Sequence, residues 1–233
     1  MTDRAGPAHV ITLHGLWLTG AEATRLRRRL RDRHGYNVHA LHYRTVRASL
    51  SQNARVLRDF MAERLHDRMD TPCHLVGHSL GGLVILKMLL DWPEAPPGRV
   101  VCLGTPLNGS ESALRVAKLP GGESLLGRSI AEGVLEAPAS EWAQRFKGRD
   151  VGVVAGTWPV GMGRLLGKLS EPNDGTVTVD ETRWQHATDH LELAASHTTL
   201  VTSREVADQV AHFIGHGRFD RSRKRGDDGA PTA

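Results

Sequence analysis

The chain has 233 residues, 39% of them hydrophobic, with 30 Lys and Arg against 26 Asp and Glu, a formal net charge of +4 and a sequence pI near 9.4. That length suits one α/β domain with a full core, and no run approaches the roughly 18 consecutive apolar residues of a membrane span. The start, MTDRAGPAHV, lacks the apolar stretch of a secretory leader, so a cytoplasmic location is expected, and the two cysteines, Cys73 and Cys102, read as buried thiols in apolar runs.

In chain order, short β-branched runs alternate with helical periods, the pattern of a parallel sheet flanked by helices. HVITLHG (His9 to Gly15) reads as a buried strand, followed by a helix from about Ala21 to Arg33. In its stretch RLRRRLRDR, Leu26 and Leu30 share one face and arginines cover the rest, which makes either a solvated outer face or a docking surface. NVHALHYR (Asn37 to Arg44) is the next strand, and the apolar spacing from Leu50 to Leu65 predicts the next helix. CHLVGH (Cys73 to His78) is a strand running directly into an apolar helix, Ser79 to Trp92, which Pro93 ends before the strand RVVCLGTP (Arg99 to Pro106).

From Leu107 to about Gly148 the alternation stops for some forty residues. Leu126, Ile130 and Val134 recur every four residues behind the breaker KLPGGES, which predicts a helix serving as a lid or as an ordinary crossover. DVGVVAGTW (Asp150 to Trp158) is the following strand. A Gly-rich loop leads to the extended run TVTVDET, the strand HLELAASH (His190 to His197) and a closing helix, Ser203 to Ile214. Residues 1–215 are thus expected to form one domain with an insertion at about 107–149. The charged end, 216–233, has too little apolar content to fold and is expected to be disordered. Its RSRKR run and the arginine helix suggest weak association with anionic surfaces, and no specific nucleic-acid site is expected.

Within LVGHSLGG (Leu75 to Gly82), Ser79 is either a helix cap or the nucleophile of a G-x-S-x-G elbow. The strand before it and the helix after it are the context that an elbow requires. A serine nucleophile needs a base, and the base needs an orienting carboxylate, in the chain order Ser, Asp or Glu, His. His197, directly after the last strand, is the base expected from that order; His186, His190, His212 and His216 are less well placed. Asp174, in the turn NDG, is the expected acid, with Asp180, Glu181 and Asp189 as rivals. Oxyanion donors are expected from the N–H of Leu80, next after the serine, and of Leu16 in HGLW after the first strand, which puts Trp17 near the acyl pocket. The His186/His190 spacing has no third ligand and predicts no metal site.

HG followed by a bulky residue, GHSLGGL, GTPLNGS, NDGTV and SHTTLV together resemble the α/β-hydrolase superfamily from about His9 to Ile214, and more narrowly the small bacterial lipases and esterases and the GPI-inositol-deacylase-like hydrolases. The resemblance implies a reduced α/β-hydrolase fold: three α/β/α layers around a mostly parallel sheet of about six strands. It also implies hydrolysis of a small-molecule ester or lipid by Ser79, Asp174 and His197, with Leu16 and Leu80 as oxyanion donors and no metal or cofactor. Amide or thioester hydrolysis would use the same groups, and a non-catalytic binding protein on this fold is the alternative of another class.

Overall fold

The computed structural model describes residues 7–65, 70–136, 148–160 and 169–222. Six strands, β1 His9–Leu13, β2 Asn37–Leu41, β3 Cys73–His78, β4 Val100–Leu103, β5 Val151–Gly156 and β6 Asp189–Leu193, pair in parallel in the order β2-β1-β3-β4-β5-β6. Parallel neighbours need crossovers. Helices α1 Thr24–Asp32, α2 Leu50–Leu65 and α3 Leu80–Asp91 follow the first three strands. Behind β4 come α4 Glu111–Ala117, α5 Gly122–Leu126 and α6 Arg128–Ile130; α7 Val179–Thr182 follows β5, and α8 Thr199–Thr202 and α9 Arg204–His216 follow β6.

Successive side chains of a strand face opposite sides of the sheet, and here both sides are covered. Ile11, Leu13, Leu75, Cys102 and Val153 join α2 and α3 in one buried cluster, while Val10, Val76, Val101 and Val154 join α1 and α9 in the other. The result is the expected three-layer arrangement, and it explains why these strands read as unbroken apolar runs. Each fully buried aliphatic side chain contributes about 1.5–3 kcal/mol of gross burial free energy. Cys73 and Cys102 are free, and burial pushes both thiols up to about 12, so neither forms a thiolate at neutral pH. Among the described residues no helix is long and apolar enough to cross a membrane.

Three local expectations change. TVTVDET does not extend; it holds α7, because Thr178 and Glu181 cap the helix reciprocally. The Thr178 hydroxyl accepts from Glu181 N (3.2 Å) and the Glu181 carboxylate from Thr178 N (2.8 Å). A T-x-x-E spacing here outranks β-branched composition. Leu126, Ile130 and Val134 are all buried, but not on one helix: Gly127, at φ 79°, separates α5 from α6, and a π-helical turn, Ala131–Glu136, follows. This segment is tied to the start of α2, with Arg128 N donating to Val46 O (3.0 Å), Ser129 Oγ to Ala48 O (2.9 Å) and Ser51 N to Glu132 (3.1 Å). The rest of the expected insertion, 137–147, lies outside the described residues.

The third change is at the end of the chain, where 216–222 are ordered. Phe219 is 3% exposed against Phe213, and the guanidinium of Arg221 donates twice to the Asp189 carboxylate (2.9 and 2.7 Å). Gln209 of α9 exchanges two bonds with Asp220 (2.6 and 2.9 Å) and Phe219 N donates to Asp189 (2.8 Å), so these residues are fastened to both α9 and β6. Residues 223–233 lie outside the described residues.

Candidate active site

At the carboxyl end of β3 the chain turns straight into α3, and Ser79 takes the turn at φ 53°, ψ −123°. A non-glycine residue there stores about 1–3 kcal/mol of strain, held by the surrounding structure. Two main-chain bonds pin it: Ser79 N donates to Leu103 O (2.8 Å) and Gly82 N to Ser79 O (3.1 Å). The Ser79 side chain makes no capping bond to α3, so the cap reading fails. A Cβ on Gly77 would lie 2.4 Å from Gly82 N, and one on Gly81 2.8 Å from Leu13 O. Backbone meets backbone at both places, and only glycine fits.

Asp174 and His197 come together from different loops. Asn173 Oδ1 accepts from Gly175 N (2.9 Å), which shapes the NDG turn, and Asp174 is 1% exposed. Its two carboxylate oxygens have separate tasks. Oδ1 accepts from the N–H groups of Thr176 (2.9 Å) and Val177 (2.8 Å), whereas Oδ2 stands 2.7 Å from His197 Nδ1. A carboxylate only accepts, so Nδ1 carries the proton and Nε2 of the neutral ring is left as an acceptor. The His197 main chain is tied as well, its N–H donating to Asp174 O (2.9 Å).

Sequence reasoning passed over Gly104. It follows β4 at φ 55°, and a Cβ there would stand 3.0 Å from Asp174 Oδ2 and 3.1 Å from His197 Nδ1. Only its place directly after a strand, in the stretch GTP, signalled a close approach.

The rival carboxylates are engaged elsewhere. Asp180 pairs with Arg183, Asp189 with Arg221, and Glu181 accepts from Thr178 N and Glu111 N, with burial pushing its carboxyl up. The other late histidines are dispersed too: His186 lies edge-on to Trp184, His190 Nε2 meets Thr182 Oγ1 (2.9 Å), and His212 stacks on His216. Among the described residues no group of three His, Cys, Asp or Glu could hold a metal ion.

The loop after β1 runs over the serine, where a Cβ on Gly15 would stand 3.1 Å from Ser79 Cβ. Tyr43 braces this loop by stacking on His14 and donating its hydroxyl to His14 O (2.5 Å). The N–H groups of Leu16 and Leu80 have no hydrogen-bond acceptor among the described residues. Leu80 opens α3, so its N–H is one of the four that a helix leaves unsatisfied, at the end that favours negative charge. Trp17, at φ 58°, is 44% exposed, and its Nε1 donates to Leu125 O (3.0 Å). Leu18 beside it is exposed, as are Leu119, Leu125, Trp158 and Val160 in the chain segments after β4 and β5. Three arginines of α1 lie elsewhere: Arg25, Arg28 and Arg29, with Arg33 just past the helix and Arg204, line a cleft of about 590 Å³, and none of the expected site residues borders it.

The sequence matches the alpha/beta hydrolase family over residues 10–230. The chain belongs to that family. Solved structures agree on the fold. A Bacillus licheniformis lipase in its mature form superposes with a TM-score of 0.70 at 18% identity, over 91% of this chain and 92% of the lipase. A metagenomic carboxyl esterase gives 0.61 at 21% identity over 83% and 65%, and a malate-bound Thermogutta terrifontis esterase 0.63 at 14% over 91% and 92%. No curated protein matches the sequence. Identities this low carry the α/β-hydrolase fold to this family member and nothing finer.

Proposed function

We propose that this alpha/beta hydrolase is a carboxylic-ester hydrolase of the esterase or lipase type, working through an acyl-enzyme on Ser79. The observation that carries the reading is the 2.7 Å pair of Asp174 and His197, whose main chain meets the ring of His78, the residue next to a serine held in a strained turn between β3 and α3. Ser79 Oγ attacks the ester carbonyl carbon while His197 Nε2 takes its proton, and Asp174 holds the ring in the reactive tautomer and stabilises the imidazolium. The oxyanion of the tetrahedral intermediate meets the N–H groups of Leu16 and Leu80. Donors of this kind are each worth about 10²–10³ in rate. The intermediate collapses as His197 gives its proton to the leaving alkoxide. Water, activated by the same nitrogen, then attacks the acyl-serine and frees the acid.

The exposed apolar residues beside Leu16 support a substrate class. Exposed Trp17 and Leu18, next to Leu16 in the chain, and Leu125, which Trp17 Nε1 reaches, favour an ester with an apolar acyl group over a charged one. Hydrolysis of p-nitrophenyl esters from acetate to palmitate tests both parts, run beside Ser79→Ala and fluorophosphonate labelling. The wild type is expected to take one label and to prefer an acyl chain longer than acetate, and Ser79→Ala to take none and lose about 10⁴–10⁶ in kcat. A wild type that neither hydrolyses nor labels rejects the reading.

A further inference from the structure

His78, immediately before the serine, takes no part in the proton transfers above, yet it is 3% exposed at the centre of the site. Its Nε2 lies 2.9 Å from the carbonyl oxygen of His197, and the two rings stand 4.6 Å apart. A carbonyl oxygen only accepts, so Nε2 carries the proton and Nδ1 is left as a lone pair. Nδ1 is buried, with no hydrogen-bond partner among the described residues, and a Cβ on Gly15 would stand 3.2 Å from it. One edge of the ring therefore bears the main chain of His197 and the other underlies the loop that carries Leu16. The ring is also fit to sit beside an imidazolium without repelling it: burial, with His197 close by, pushes its pKa well below the usual histidine range, and it stays neutral.

We propose that His78 is a positioning residue of this reaction, setting the main chain of the base through Nε2 and the approach of the oxyanion loop through the body of its ring. The inference rests on the ester-hydrolase reading. The His197 main chain has two ties, its N–H to Asp174 O and its C=O to His78. Removing the second lets the base drift. A displacement of about 1 Å at a reacting group costs on the order of 10²-fold in rate.

The test is kcat and KM for p-nitrophenyl butyrate in His78→Leu, His78→Asn and His78→Gln, each normalised to the sites that fluorophosphonate labels at completion. His78→Leu and His78→Asn, which cannot reach the His197 carbonyl, are expected to lose about 10- to 100-fold in kcat per labelled site with KM changed less than about threefold. His78→Gln, which offers an N–H at nearly the same reach, is expected to recover most of the loss. A purely structural role would lower the number of labelled sites and leave kcat per site unchanged, and that result overturns the proposal. So does a Gln variant no better than Asn. A wild type without hydrolysis or label instead overturns the hydrolase reading, and the role of His78 with it.

Discussion

The elbow and the acid loop reach the same site by opposite means. Around Ser79 geometry is local: from Gly77 to Gly82, six consecutive residues supply the strained serine, the two close backbone approaches and the N–H of Leu80 that we propose as an oxyanion donor. Around Asp174 geometry is assembled from afar. Its carboxylate is oriented by Thr176 and Val177, bonded to His197 twenty-three residues on, and crowded by Gly104 from another strand end. In the elbow the residues that make the fold are also those proposed to make the chemistry, whereas in the acid loop the fold and the proposed chemistry fall on different atoms of one side chain.

The largest expected effect tests that division. Asp174→Asn keeps an oxygen to accept from Thr176 and Val177 but turns an amide toward Nδ1, favouring the wrong tautomer of His197. Its kcat is expected to fall about 10⁴-fold with a urea midpoint close to wild type. Asp174→Ala should lose activity similarly, and it also strands the two N–H groups, at about 1–3 kcal/mol for each that stays buried. If both variants unfold alike, the two oxygens do not divide the work.

Gly77→Ala breaks the other side of the comparison. Its methyl would stand 2.4 Å from Gly82 N and 2.6 Å from Gly81 C, both backbone atoms of the first turn of α3. Relief means moving β3 away from α3, so about 3 kcal/mol or more of stability should go together with activity. Protein that melts like wild type but is inactive would show the elbow to be separable from the fold.

Legibility in the sequence follows the same line. The six strands and the helices α1, α2, α3 and α9 were readable because each buries a continuous run or a periodic face, and burial acts on residue type at fixed spacing. The turn at Ser79 was readable because an elbow is written in consecutive residues. Asp174 could be chosen only as one acid among four, since its partners are close in space and distant in sequence. The extended reading of TVTVDET weighed β-branched composition and missed the Thr178/Glu181 cap, a signal present in the sequence. Gly104 had only its place after a strand as a signal, and the His78 contact with His197 O had no local signal at all, because each depends on how two strand ends meet.

The smallest effect concerns a carboxylate that serves the fold alone. Asp208 of α9 joins α1 through the Arg29 guanidinium (2.6 and 2.7 Å) and His34 (3.1 Å), on the sheet face that bears the arginine cleft. Burial opposes its ionisation, but the hydrogen bonds from Arg29 and His34 outweigh it and hold the carboxyl at about 2. An unfolded aspartate titrates near 3.9, so the folded state binds this proton less readily. The stabilisation is complete above about pH 5 and is lost as pH falls through the folded value; by pH 3 about 1 kcal/mol should be gone. Asp208→Asn lacks that term at every pH. Urea midpoints between pH 6 and pH 3 should therefore converge for the two proteins toward the acid end, with kcat at pH 7 unchanged. A midpoint difference that stays constant with pH would mean that the bond, not the charge, holds α9 to α1.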